Sequence, residues 1–370
     1  MDFTPTDEQS AARGLAAGIF GDLATPDRLA AAGTGTDPTL WRALCAAGLP
    51  AAVPEIGLLG LVLLLEEQGR TTAQTPFATS GVHGLLALTM LGTDEQRARL
   101  LPGLGDGTAV ATGAIAEPAA VRAEALAGRA GRAGRTGGGG RGGPGGAAQA
   151  RLSGTVAWVP WLRDATHVLV ADSGRALWWV RVADAETVPV ETTAPWAAGR
   201  LVLDATPAER VGPAHAPPGA GYEEVRAVAR IAFAGLQAGV CAGALARAVE
   251  HTTTREQFGR PLAAHQGVQL RAADAHMDVE SMRLTVYEAA WRYDEGLPYA
   301  RHALTAAWWA SEAGKRVVHT GQHLHGGLGA DLEHPVHRHF LWGRQLDAYL
   351  GCGSEVLAEL GALLAEEGAA

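Results

Sequence analysis

The chain has few cysteines, and none of the spacings that would give them a shared role. Its 370 residues include three cysteines, Cys45, Cys241 and Cys352, which lie far apart without a CxxC motif. This pattern indicates neither a zinc site nor a disulfide framework. Because scattered free thiols fit a reducing compartment, we expect a cytoplasmic protein.

A leader-like start, a long apolar run and a basic surface are also missing from the sequence. The start, MDFTPTDEQ, carries acidic residues and no basic-then-apolar signal. The apolar run at residues 57–65 is too short by itself to cross a bilayer and is followed by Glu66 and Glu67, so we expect a buried helix and no membrane contact. The net charge of −9 argues against a general nucleic-acid surface.

One segment has a composition that cannot form a core. Residues 128–146 read GRAGRAGRTGGGGRGGPGG, and we expect a disordered loop over residues 126–149. Arginines among glycines are typical of RNA-binding tails, but the segment contains no aromatic residue that could stack on bases. A low-complexity insertion is therefore favoured, and we expect no nucleic-acid partner.

The remainder of the chain indicates an α+β protein with three domains. Residues 1–108 read as helices, with a helix cap at Thr6 and a break at Pro54. Residues 109–220 predict a small antiparallel β domain, and residues 221–370 predict a C-terminal four-helix bundle from apolar residues at helical spacing. The expected strands cover residues 109–115, 155–158, 167–171, 177–182 and 201–203.

Several motifs, taken in order, resemble those of the flavin-dependent acyl-CoA dehydrogenases. They include LGTDEQRARLLPGLGDG in the first domain, REQFGRP at residues 255–261 and HGGLGADLEHPVHRHF at residues 325–340. Each match alone is weak, but their order and spacing favour the family over an unrelated helical bundle. The resemblance covers almost the whole chain and implies the family's helical, β and helical domain order.

The resemblance implies that part of the last domain contacts the FAD of a neighbouring subunit. In the family, the positions of Arg255, Gln257 and Phe258 reach across the subunit interface. An arginine can contact phosphate oxygens, and an aromatic ring can pack on adenine. Read without the resemblance, Arg255 would be an interface charge and Phe258 a core aromatic residue.

A glycine turn is implied to approach the same part of that shared cofactor. Gly326, Gly327 and Gly329 would let the backbone come close where a side chain would obstruct it, although they could instead only end a helix. His323 occupies a position that is usually glutamine in the family. The surrounding histidines, which also include His325, His334, His337 and His339, could suggest a metal, but no CxxC or HExxH motif accompanies them.

The chain's own substrate site, by contrast, lacks the expected base. Counted without a gap from the glycine turn, the family's catalytic glutamate falls on Leu350, and an alternative base position before Arg230 falls on Ala229. Neither side chain can accept a proton. We therefore predict that the chain has no catalytic residue of its own and is inactive alone.

The positions that would hold the chain's own flavin also depart from the family. A Thr-Glu-Pro turn reads Ala116-Glu-Pro, so a hydroxyl is lost. A Trp-Ile-Thr strand reads Trp158-Val-Pro160, and proline offers no hydroxyl or backbone N–H. Trp158 is left as a weak candidate contact to the cofactor.

Three functions stay open on the sequence. The first is the base-lacking subunit of a heteromeric acyl-CoA dehydrogenase, similar to actinobacterial enzymes that include some acting on steroid side chains. It would complete the FAD site of a glutamate-bearing homologous partner that acts on an acyl-CoA. The second is a self-sufficient dehydrogenase whose base is Asp347 or Glu355. The third is a non-redox protein that binds acyl thioesters on the same scaffold.

Overall fold

The computed structural model describes residues 3–125, 148–212, 219–349 and 351–369. Most of the Gly/Arg-rich loop, at residues 126–147, and the base position Leu350 therefore lie outside the described residues. Gln149, expected at the end of the loop, is the first residue of a strand.

The N-terminal domain consists of helices packed around one long apolar helix. They are α1 (Asp7–Leu23), α2 (Pro26–Ala32), α3 (Pro38–Ala46), α4 (Leu49–Thr71), α5 (Phe77–Thr79), α6 (Ala87–Leu91) and α7 (Asp94–Gly105), with a π-helical segment at Ser80–Leu86 between α5 and α6. The expected cap at Thr6 is present, since its hydroxyl accepts a hydrogen bond from the Gln9 N–H at 3.2 Å and its own N–H donates to the Gln9 side chain at 3.0 Å.

The long helix α4 bends at Gly57, so the expected break at Pro54 is wrong. Gly57 has a φ of 71°, and the Asp294 carboxylate accepts hydrogen bonds from the N–H groups of Leu58 and Leu59 at 2.8 and 2.9 Å. A proline removes one helical hydrogen bond, whereas this bend needs a left-handed residue. A Cβ at Gly57 would lie 2.8 Å from Asp294, which again requires glycine.

The middle domain is one seven-stranded sheet in the order β1-β4-β5-β7-β3-β2, with β6 paired to β7. All its strand pairs are antiparallel except β1–β4, which is parallel. The strands are β1 (Ala111–Ala114), β2 (Val121–Ala125), β3 (Gln149–Val159), β4 (His167–Ala171), β5 (Leu177–Arg181), β6 (Glu186–Pro189) and β7 (Gly199–Arg210). Each of the five expected strands overlaps one of these, while β2 and β6 were not expected.

The C-terminal domain is a helical bundle whose fourth helix is divided in two. Its helices are α8 (Ala220–Thr254), α9 (Gln266–Asp294), α10 (Ala300–His325), α11 (Val336–Tyr349) and α12 (Gly353–Ala369). A short hairpin of β8 (Glu256–Gln257) and β9 (Arg260–Pro261) joins α8 to α9, and a 3-10 turn at Gly326–Ala330 follows α10.

The main hydrophobic core runs through both helical domains. By length and composition alone, α4 and α8 are apolar enough to cross a membrane. Their most apolar stretches are, however, 72% and 83% buried inside the protein, so packing in the core accounts for their composition. A third such stretch lies within residues 336–368 and is 12% buried. The helix that contains residues 57–65 is thus longer than expected, but it is buried as expected. The absence of membrane contact stays a prediction.

Candidate functional site: an aromatic-lined cleft and an outward-facing half-site

A cleft of about 460 Å³ lies between the β domain and the bundle. Four positions singled out from the sequence line it together: Ala116, Trp158, Ala229 and Glu355. They come from the turn after β1, from β3, from α8 and from α12. The cleft is therefore where the chain's own flavin and substrate site was expected.

Aromatic side chains line part of this cleft and pack on one another. The Tyr349 ring packs edge-on against Phe233, with ring centroids 4.5 Å apart, and against Trp158 at 5.7 Å. Its hydroxyl oxygen lies 3.4 Å from Nε2 of His83, which is wholly buried. Burial lowers the pKa of His83 to about 4 and raises the pKa of the Tyr349 hydroxyl. Both groups are therefore uncharged at neutral pH.

His83 was not identified from the sequence, although Gly113 gave an indirect signal. A Cβ at Gly113 would lie 2.3 Å from the His83 ring, so the imidazole occupies the space that a side chain on β1 would need. A glycine inside a strand often marks such a close approach. Nothing local to His83 indicates its neighbours, because Tyr349 lies 266 residues further along the chain.

No carboxylate stands at a described base position. Ala229 lines the cleft, and Leu350 lies between two lining residues but outside the described ranges. Asp347 is buried away from the cleft, where it accepts a hydrogen bond from the Ser311 hydroxyl on α10. Of the two relocated-base candidates only Glu355 lines the cleft, and its side chain is exposed to solvent.

An arginine pair at the rim is already neutralised within the chain. Arg230 donates to both carboxylate oxygens of Glu359 at 2.9 and 2.7 Å, and Arg226 contacts the same carboxylate at 2.6 Å. These two cations hold the pKa of Glu359 below its ordinary value, with the Arg230 hydrogen bond as the largest cause. The pair thus fastens α12 beside the cleft.

The residues around the cleft do not offer the expected flavin contacts. Pro160 has no N–H, and its carbonyl oxygen accepts a hydrogen bond from the buried Thr112 hydroxyl. Ala116 presents only a methyl group, and the Trp158 ring is packed on Tyr349. Neither Ala116 nor Pro160 therefore offers the side-chain hydroxyl that the resemblance implies at these positions.

The half-site, defined as Arg255, Gln257, Phe258, His323, Gly326, Gly327 and Gly329, lies at the hairpin after α8 and around the end of α10. It has the opposite character, because Phe258 is exposed and the Arg255 side chain has no hydrogen-bond or ion-pair partner in the described part of the same chain. Phe258 is 89% exposed, has a φ of 56° and sits in the turn that follows Gln257. Its ring makes one edge contact, with His265 at 6.0 Å. The Arg255 side chain is exposed and makes no hydrogen bond or ion pair within the described residues. These groups fit an external phosphate and an external aromatic ring.

The glycine turn that follows α10 leaves open space. Gly326 has a φ of 61°, and neither it nor Gly327 has any heavy atom within 4 Å of where a Cβ would stand. A Cβ at Gly329 would instead lie 2.3 Å from the Gln322 carbonyl oxygen, so that position must be glycine. His323 is exposed and lines a separate groove between α9 and α10, away from the other half-site residues.

The described residues contain no group of three or more His, Cys, Asp or Glu side chains that could hold a metal ion. The histidines of the run instead serve as packing and hydrogen-bonding groups. His339, for example, is buried and its Nε2 lies 3.0 Å from the Arg70 carbonyl oxygen.

Comparison with known proteins identifies the fold's family. A model described as "Acyl-CoA dehydrogenase, N-terminal domain" matches residues 6–108, and one described as "Acyl-CoA dehydrogenase, C-terminal domain" matches residues 224–362. Acyl-CoA dehydrogenase FadE27 of Mycobacterium tuberculosis is 34% identical over 99% of both chains. The chain belongs to the acyl-CoA dehydrogenase family. Members of this family are flavoprotein oxidoreductases that bind FAD.

The most similar family members include components of two-subunit assemblies. A chain of a variant of the Tcur3481-Tcur3483 steroid ACAD has a TM-score of 0.86 and 40% identity, with 98% of this chain and 99% of that chain covered. A chain of the ChsE4-ChsE5 complex from Mycobacterium tuberculosis has a TM-score of 0.86 and 31% identity, with 99% of both covered. FadE28 of the same organism is 28% identical over 98% of both chains.

Proposed function

We propose that the chain is the non-catalytic subunit of a heteromeric acyl-CoA dehydrogenase and that it completes the FAD site of a base-bearing homologous partner. The observation that carries this proposal is the contrast between the two sites. The chain's own cleft is lined by Tyr349 and has no base at Ala229, whereas Phe258 is exposed and Arg255 makes no ion pair in the described part of the chain.

The reaction of the proposed complex is α,β-desaturation of an acyl-CoA thioester in the partner's active site. Removal of the α proton needs an acceptor within hydrogen-bond reach of the substrate. In this chain the acceptor would have to be an exposed carboxylate or the buried His83, which Tyr349 adjoins. The steroid and two-subunit assemblies among the structural relatives support a lipid or steroid acyl-CoA as substrate. We place the complex in the cytoplasm.

One observation favours a second function. The cleft still encloses about 460 Å³, within the range of small-ligand pockets. A protein that binds an acyl thioester without redox chemistry would use such a cleft. Binding of an acyl-CoA by the isolated chain, without any flavin, would favour this function over the subunit role.

The deciding experiment is co-expression with a homologue that carries the catalytic glutamate, followed by purification through a tag on this chain. We expect a complex with about one FAD per pair of chains, since each cofactor would be shared by one catalytic and one non-catalytic subunit. Flavin would be quantified by absorbance after denaturation and chains by amino-acid analysis. A homo-oligomer of this chain with one FAD per subunit would overturn the proposal and favour a self-sufficient dehydrogenase.

A further inference from the structure

Three histidines from different segments of the bundle are brought together beside the glycine turn. His251 on α8 stacks on His325 at the end of α10, with ring centroids 4.7 Å apart and planes 21° apart. The His334 ring lies 5.0 Å from His325. His325 is 5% exposed, while His251 and His334 are partly exposed. The cluster adjoins the open space at Gly326.

The fixed charges around these rings are mostly positive. Arg247 lies one turn before His251 on α8, is partly buried, and makes no hydrogen bond or ion pair with another residue of the described ranges. Two carboxylates oppose this positive charge: Glu250 interacts with Arg247, and Asp331 interacts with His334. The other charged or titratable groups around the cluster are Arg255, directly after α8, and His337, Arg338 and His339 on α11.

We propose that Arg247, His251, His325 and His334 form a binding site for a phosphate-type anion at the edge of the exposed glycine turn. A half-buried arginine without an ion-pair partner in the described ranges, next to stacked imidazoles, is an arrangement that an anion would stabilise. Gly326 and Gly327 leave the space that the anion would occupy. The site itself does not depend on the proposed subunit role.

The hydrogen bonds of the rings set which nitrogens remain for the anion. His334 Nδ1 accepts a hydrogen bond from the Val336 N–H at 3.3 Å, so the proton of the neutral ring lies on Nε2. His325 Nδ1 lies 2.7 Å from the Gly321 carbonyl oxygen and donates to it, which leaves Nε2 for the anion. His251 makes no ring hydrogen bond within the described residues, so both of its nitrogens remain available.

The cluster predicts that anion binding is coupled to proton uptake. Desolvation and then the charges of neighbouring His and Arg groups lower the pKa values of His251 and His334. A bound phosphate would raise them, because it favours the charged imidazolium. Affinity should therefore increase as pH falls through the raised pKa and level off below the pKa of the free site.

The test uses the full chain alone, with inorganic pyrophosphate as the probe. NMR of ring-labelled histidine, assigned with the variants His251→Gln and His334→Gln, would follow each titration between about pH 5 and 8. We expect pyrophosphate to raise the titration midpoints of His251 and His334 by about one pH unit, as expected for an opposite charge at close range. Arg247→Gln should remove most of this rise, and Arg247→Lys, which keeps the charge, should retain it.

His302 provides the internal control, since its ring pairs with Glu288 at 3.5 Å on another part of the bundle. Its midpoint should not change with pyrophosphate. The proposal is overturned if the midpoints of His251 and His334 do not move, or if they move no more than that of His302. Because these measurements need neither a partner nor a flavin, their failure is distinguishable from failure of the subunit role.

A second measurement identifies the source of the anion. In the co-expressed complex, FAD retention would be compared at about pH 6 and pH 8 for the wild type and for His251→Gln. If the wild type retains FAD about tenfold more tightly at the lower pH and the variant loses this difference, the site holds the diphosphate of the shared cofactor. If FAD retention is independent of pH while the pyrophosphate effect persists, the site holds free phosphate or a free nucleotide.

Discussion

The cleft and the outward half-site differ in where their side chains find partners. In the cleft, Tyr349 packs on Phe233 and both arginines pair with Glu359, so each group is satisfied within the chain. In the half-site, Phe258 projects into solvent and the Arg255 guanidinium has no ion-pair partner among the described residues. Within one chain, the arginines of one site are thus paired internally, while the arginine of the other is left exposed to solvent.

The largest difference between the two sites should appear in flavin reduction. The isolated chain, supplied with excess FAD and an acyl-CoA under anaerobic conditions, should reduce flavin about a hundredfold to ten-thousandfold more slowly than the complex, as expected for loss of a general base. Stopped-flow absorbance would measure the rate. Leu350→Glu alone should not restore it, because Ala116 and Pro160 remain. Rapid bleaching by the isolated chain would contradict the proposed role.

Two phenylalanines, one at each site, give a matched test in terms of stability. Phe233 is 1% exposed, so Phe233→Ala should lower the free energy of unfolding by about 3–5 kcal/mol through loss of buried contacts. Phe258 is 89% exposed, so Phe258→Ala should change it by less than about 0.5 kcal/mol. Urea unfolding of the isolated chain measures both. Similar losses in the two variants would show that the half-site aromatic is a structural residue.

The buried histidines predict that stability falls in mild acid. Burial lowers the pKa values of His83 and His339 to about 4, so the unfolded chain binds their protons first as the pH falls. The free energy of unfolding is therefore unaffected by protonation of these two histidines above about pH 6.5. It should fall by about 3 kcal/mol for each histidine as the pH is lowered towards about 4. His83→Leu should flatten part of this dependence in urea unfolding, while His276→Gln, a change at an exposed histidine, should keep the wild-type profile.

The smallest expected effect is at the half-site arginine. Arg255→Ala should weaken FAD retention by the complex about tenfold to a hundredfold, since a hydrogen bond to a charged group contributes about 1.5–3 kcal/mol. The fold should be unchanged by circular dichroism. Arg260→Ala is the control on the same hairpin, because Arg260 contacts His265 within its own chain at 3.1 Å. Full flavin content in the Arg255 variant would make Arg255 an interface charge only.

Local rules predicted much of the fold. The cap at Thr6 and the strand β4 (His167–Ala171) follow from neighbouring residues, and both lie where the sequence indicated. Helix α4 shows the limit of such rules, because the choice of Gly57 over Pro54 as the bend depends on Asp294 in a different domain. Local sequence patterns cannot predict a contact between residues that lie 236 positions apart.

The residues of the candidate site could likewise be predicted only where one continuous stretch of sequence contains them. The positions of Ala229 and of the hairpin at Phe258 could be predicted from motifs, because each motif is continuous in the sequence. The aromatic cluster beside the cleft could not, since it joins His83, Phe233 and Tyr349 from three separate helical segments. The stack of His251 on His325 likewise needs the bundle to form before it exists.

The link between Gly57 and Asp294 has a consequence for synthesis on the ribosome. The second half of α4 begins at N–H groups whose acceptors lie 236 and 235 residues further along the chain. Those groups have no protein acceptor until α9 has left the exit tunnel, because helix starts lack internal partners. The first domain therefore cannot reach its final form as it emerges, and nascent chains that stop before Asp294 should be targets for chaperones.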